Sequence, residues 1–137
     1  MTAQRAMANP ALAKGLWANA ASHFQQAARM RPMMPGPWAS MAWSLHEFVQ
    51  LQGSAVTEYE KNLMWWAWGK AMVYGARSGQ IQLVLTRIAV SRWDALSLSQ
   101  KDQLHQMWAL RTTPKQRARL LPWVKPHAQA WALWEKA

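Results

Sequence analysis

HFQQAARMRPMMPGPWASMAW, residues 23–43, decides how this chain is read. A basic helical run stops at Arg31-Pro32, a Pro-Gly-Pro turn occupies 35–37, and a Trp-led run starts at Trp38. Proline breaks a helix interior but suits a first turn, so one helix ends here and another begins within a few residues.

Working outward, the whole chain reads as helices cut by Pro, Gly and Ser. A first helix is expected from a cap at Asn9-Pro10 to about Arg31, and a second from Pro37 to about Leu51, stopped at Gln52-Gly53. A third is expected from Ser54 or Ala55 to about Tyr74, and a fourth from Ser78-Gly79 to near Trp93. Ser99 with Asp102 is expected to open a fifth, Thr113-Pro114 with Gln116 a sixth, and Pro126 a short seventh. Only IQLVLTRIAV (81–90) looks β-like, and its Ile81, Leu85, Ile88 and Ala89 fit helical spacing equally well. The expected class is all-α, with six to seven helices as stacked antiparallel hairpins in one domain, 1–137. Residues 1–9 are expected to be disordered, and 113–137 to form basic, Trp-rich C-terminal helices.

The opening stretch also matches a repeat. The tetratricopeptide pattern sets W-x2-L-G-x2-Y on one helix, then A-x3-F and a closing Pro on the next. Ala20, Phe24 and Pro32 match the second helix, with Ala27 as the next small residue on that face. Trp38, Met41, Ala42 and Leu45 match the first helix of a following unit, and Ala55 and Tyr59 its second, one residue late and without the closing Pro. The small residues would let backbones approach, while Phe24, Trp38 and Tyr59 would fill the holes between units. A helical-hairpin bundle with Ala-rich contacts produces the same alternation.

Over about residues 20 to 112 the chain resembles bacterial tetratricopeptide-like proteins found with exopolysaccharide biosynthesis systems. The residues that carry the resemblance are Arg31-Pro32, Trp38-Ala39-Ser40-Met41-Ala42 and Arg92-Trp93-Asp94-Ala95-Leu96. The resemblance implies an envelope-associated scaffold for polysaccharide assembly or export. Members of that group usually carry an N-terminal anchor and an earlier helix, neither of which is expected within these residues, and Gly75-Ala76-Arg77-Ser78 stands where Gly-Pro-Trp-Glu is expected.

Composition narrows the function classes. With 51% hydrophobic and 16% charged residues, 137 residues suffice for a real core. Eleven Trp against two Tyr and two Phe favour cores with polar edges, and interfaces. No Cys means no disulfide and no thiolate, which leaves cytosol and cell envelope both open. The net charge of +10 suits nucleic acid, anionic lipid, acidic polysaccharide or an acidic protein. MTAQRAMANPALAKG has no apolar core and does not read as a signal peptide; no transmembrane segment is expected.

Catalytic constellations are not apparent. Glu58 and Glu60 diverge on a helix, Asp94 at a helix end suits turn capping, and His23, His46, His105 and His127 form no metal-ligand spacing. No phosphate-cradling glycine loop or nucleophile elbow occurs. No enzymatic activity, cofactor or metal is therefore expected.

Two surfaces stand as binding candidates. One is a repeat groove, with Ala39, Trp43 and His46 on its concave side and Trp43 as a protein anchor. The other is a basic face of Arg111, Lys115, Arg117, Arg119 and Lys125 near Trp123, Trp131 and Trp134, suited to phosphate, acidic sugars or an anionic membrane surface. Trp65, Trp66 and Trp68 cannot share one side of a helix, so one of them, Trp66 in particular, is expected at an interface. The leading expectation is a protein–protein adaptor in a larger assembly. The alternative is a basic subunit of a ribonucleoprotein or DNA-bound assembly.

Overall fold

The computed structural model describes residues 19–20, 22–27, 29–30, 34–52 and 57–137. Helix is the only regular structure among these residues. The proposed start of the first helix, the 1–9 segment, Arg31-Pro32 and Ala55 lie outside them. The chain divides into two compact units, Met1–Tyr74 and Gly75–Ala137.

In the first unit the described residues between 19 and 30 are helical, and two longer helices follow: α1, Pro35–Gln52, and α2, Glu58–Gly75. Pro35 and Pro37 occupy the first turn of α1, where their missing N–H groups cost nothing. Trp38, Met41, Ala42, Leu45, Phe48 and Val49 recur at helical spacing and are all buried. The onset of α2 falls a few residues beyond the expected Ser54 or Ala55. Thr57 Oγ1 accepts the Glu60 N–H at 3.2 Å, so the Thr-x-x-Glu signature sets the start. Tyr59 fills no hole: it is 70% exposed, at the rim of a cleft it shares with Leu45 and Phe48 of α1.

The second unit contains α3 (Gly79–Ser91), a 3₁₀ turn (Trp93–Ala95), α4 (Leu98–Leu110), α5 (Pro114–Val124) and α6 (Ala128–Glu135). The 81–90 run is helical, with Ile81, Leu85, Thr86, Ile88 and Ala89 buried. The α3 helix stops short of Trp93 because Arg92, at φ −125° and ψ 35°, leaves the helical backbone region, and Trp93 is buried in the 3₁₀ turn that follows. Ser97 and Gln100, rather than Ser99 and Asp102, cap α4. Ser97 accepts the Gln100 N–H while Gln100 Oε1 accepts the Ser97 N–H, and a Gln at this position reaches back where the shorter Asp does not. Thr113 and Gln116 form the same reciprocal box on α5, with Pro114 in its first turn, as the sequence suggests. The last helix begins two residues beyond Pro126, and His127 Nδ1 caps it by accepting the Ala130 N–H at 3.2 Å.

In this unit α3 packs along α5, and α6 touches both α4 and α5. Trp108 lies at the centre, fully buried, with its indole N–H donating to Thr86 Oγ1 at 3.1 Å and its ring edge-on to Trp134 at 5.1 Å. A polar node ties the turns together. Gln82 Nε2 donates to the carbonyls of Ala76 (2.7 Å) and Arg111 (3.0 Å), and Gln116 Nε2 donates to that of Arg77 (3.1 Å). These bonds satisfy carbonyls that the helix ends and turns leave open.

Candidate interaction surfaces

The α2 helix is apolar on two opposite sides. Met64, Ala67, Trp68, Ala71 and Met72 are buried on one side. At about 100° per residue, Tyr59, Trp66 and Val73 fall on the other, spaced by seven. They are 70%, 44% and 64% exposed, and Tyr74 is also exposed beside them. A soluble helix ordinarily puts polar residues there. The three adjacent tryptophans divide accordingly: Trp65 and Trp68 meet edge-to-face at 5.7 Å, while Trp66 sits edge-on to Trp38 at 4.8 Å and keeps its other side outward.

The other groove residues are less open. Ala39 and His46 are buried within the unit, and the half-buried Trp43 packs its ring 5.3 Å from that of His46. Of Ala39, Trp43, His46 and Trp66, therefore, Trp66 presents the largest accessible face. Sequence reading missed Tyr59 and Val73 as its companions, although their heptad spacing was visible. Near this region Leu45, Phe48, Tyr59 and Leu63 line a cleft of about 220 Å³, where Glu60 Oε2 is buried without a hydrogen-bond partner.

The second unit carries ten Lys and Arg against three Asp and Glu, a net of +7. Several of its cations lie against indole rings. Arg87 lies over Trp123 at 4.1 Å, Arg117 over Trp134 at 4.3 Å, Lys101 over Trp93 at 5.4 Å and Lys125 over Trp131 at 6.0 Å. Each such contact is worth about 0.5–2 kcal/mol, depending on how dry it is. Half-burial pulls the Arg92 guanidinium below its ordinary pKa through desolvation, yet an arginine stays protonated there.

The five residues of the expected basic face thus have different roles. Arg117 also donates to the Trp108 carbonyl at 2.6 Å, which makes it a brace between α5, the end of α4 and Trp134. Arg111, Lys115, Arg119 and Lys125 are exposed, with Lys115 and Arg119 one turn apart on α5. Arg77, also exposed, joins them because its carbonyl is held by Gln116. Replacing Arg117 by Lys is expected to lower stability by about 1–2 kcal/mol, since the planar stack and the fork of donors are lost while the charge is kept. Urea unfolding followed by circular dichroism checks this, and an unchanged midpoint would show that the brace contributes nothing.

Two further clefts flank Trp93. One, of about 360 Å³, is lined by Ser91, Arg92, Asp94 and His127, the other, of about 330 Å³, by Lys101, Gln129, Leu133 and Lys136. Among the described residues no three His, Cys, Asp or Glu side chains gather as a metal site, and no helix is long and apolar enough to cross a membrane. Comparison with protein-family models, curated proteins and solved structures returned no match to this chain.

Proposed function

We propose that this chain is a non-catalytic adaptor that binds protein within a larger assembly, using the outer side of α2. The observation that carries this reading is the exposed heptad row Tyr59, Trp66 and Val73 on a helix whose opposite side is already packed. Exposed aromatics in a row leave apolar surface in water, and covering it with a partner recovers about 25 cal/mol per Å². Trp and Tyr are also the residues that dominate binding energy at interfaces. A tetratricopeptide-like stacking is part of the proposal, supported by the burial of Trp38, Met41, Ala42 and Leu45 along α1. The resemblance to proteins of exopolysaccharide systems suggests the assembly in which the adaptor works.

A second reading, an anion-binding subunit of a nucleic-acid assembly, is favoured by the exposed cations Arg77, Arg111, Lys115 and Arg119. Acidic polysaccharide or an anionic membrane would meet the same charges. Recovery of the tagged chain from its native source, with and without nuclease, separates these readings. The adaptor should bring defined proteins through nuclease treatment, and Val73→Glu should lose them while Lys115→Glu with Arg119→Glu should not. Recovery that collapses with nuclease and with the α5 changes would overturn the adaptor in favour of nucleic acid.

A further inference from the structure

Four exposed cations from three separate segments meet at one end of the second unit. Arg77 stands in the turn before α3, Arg111 at the end of α4, and Lys115 and Arg119 on α5. Buried amides fasten these segments together. Gln82 holds the Ala76 and Arg111 carbonyls and meets Gln116 Oε1 at 3.3 Å, while Gln116 holds the Arg77 carbonyl. Arg119 reaches across to α3, its Nη1 lying 3.9 Å from where a Cβ on Gly79 would sit. Among the described residues, none of these four side chains is paired with a carboxylate.

The direction of the helices adds to the charge. Gly79 lies beside Gln116 and Arg87 over Trp123, so α3 and α5 run the same way and both positive dipole ends fall here. The α4 carbonyls that end here are already taken, that of Trp108 by Arg117 and that of Arg111 by Gln82. Like charges held together by a buried network repel one another until something neutralises them. We infer that this end binds a soluble ligand carrying two linked phosphate groups. Charge complementarity selects the class: one phosphate ester carries about −1.5 to −2 at neutral pH, so two balance four cations. Three of the four are arginines, whose fork of donors pairs with phosphate oxygens. A strand or a membrane plane would need cations spread along a track, whereas Arg87, Lys101, Arg117 and Lys125 of this unit lie against indole rings. The site rests on the cations of the second reading and narrows them to one place and one kind of group. No residue of α2 enters it, so it stands beside the adaptor reading.

Titration calorimetry of the full chain with inorganic pyrophosphate tests this at about 0.1 M salt, where distant exposed charges are screened. Saturable one-to-one binding is expected. Arg77→Ala and Arg119→Ala should each weaken it by about tenfold or more. Both side chains are exposed, so the variants should fold as the parent does, which circular dichroism checks. Lys136→Ala removes the same charge from the cleft beside Trp93, beyond the opposite end of α3, and should leave binding unchanged. The backbone amide signals of Gly79 and Gln80, in the first turn of α3, should shift during the titration. No binding of pyrophosphate, or a loss with Lys136→Ala equal to that with Arg119→Ala, would overturn the inference. So would capture of a single-stranded oligonucleotide or of anionic phospholipid vesicles with which pyrophosphate does not compete. If pyrophosphate does not bind but an oligonucleotide does, and Lys115→Glu with Arg119→Glu releases it, the site fails and the second reading stands. If neither binds, both fail.

Discussion

Trp108→Ala is expected to destabilise the second unit by about 3–5 kcal/mol, the range for deleting a buried aromatic ring. The ring is fully buried between Thr86 and Trp134, so its removal leaves a large void and takes away the edge-on contact at 5.1 Å. The Thr86 hydroxyl then loses the indole N–H, a further cost if no water enters. The Trp108 carbonyl anchors Arg117, so loosening the ring also disturbs the cation stacked on Trp134. A small unit holds on the order of 5–15 kcal/mol in all, and this one substitution removes a large part of it. Urea titration by circular dichroism should show a clear fall in midpoint. Thr86→Val isolates the polar part: it keeps the shape but strands the indole N–H, at about 1–3 kcal/mol. A Trp108→Ala protein as stable as its parent would mean that this centre is not the core.

The second large effect separates two neighbours in one helix. Trp68→Ala should cost about 3–5 kcal/mol in the first unit, because Trp68 is fully buried and meets Trp65 edge-to-face. Trp66→Ala should cost only about 1 kcal/mol, its edge contact with Trp38 being the main packing lost. The same two changes should reverse rank in partner binding, where Trp66 acts and Trp68 does not. Paired unfolding and recovery experiments read both orders. Equal stability losses for the two would contradict the assignment of opposite sides to α2.

Much of this was legible before any coordinates, and particular residues show why. Proline and glycine punctuation marks α1, α3 and α5 because their effects are local: Pro35, Pro37 and Pro114 fix φ where a helix begins. Competing local signals were harder. Ser97 and Ser99 both offer caps, and the choice fell to Gln100, which completes a reciprocal box. Trp93 lies in a 3₁₀ turn with its ring buried, because Arg92 leaves the helical backbone region just before it, and no local residue type marks that point. The basic face was legible as charge but not as geometry. Sequence cannot tell that Arg117 is spent on Trp134 and a carbonyl while Lys115 and Arg119 remain exposed. The repeat motif places Tyr59 in a hole, whereas the side chain is largely exposed at the rim of a cleft.

The central claim is that the chain meets its partner through the outer side of α2. Oxidative footprinting of Tyr59 and Trp66 compares the dilute isolated chain with the chain recovered in its native assembly. Both side chains should label readily in isolation and be protected in the assembly, while exposed Trp123 continues to label. Continued labelling of Tyr59 and Trp66 in the assembly, with protection moving to Trp123 and the α5 face, would contradict the claim and assign the contact to the basic unit.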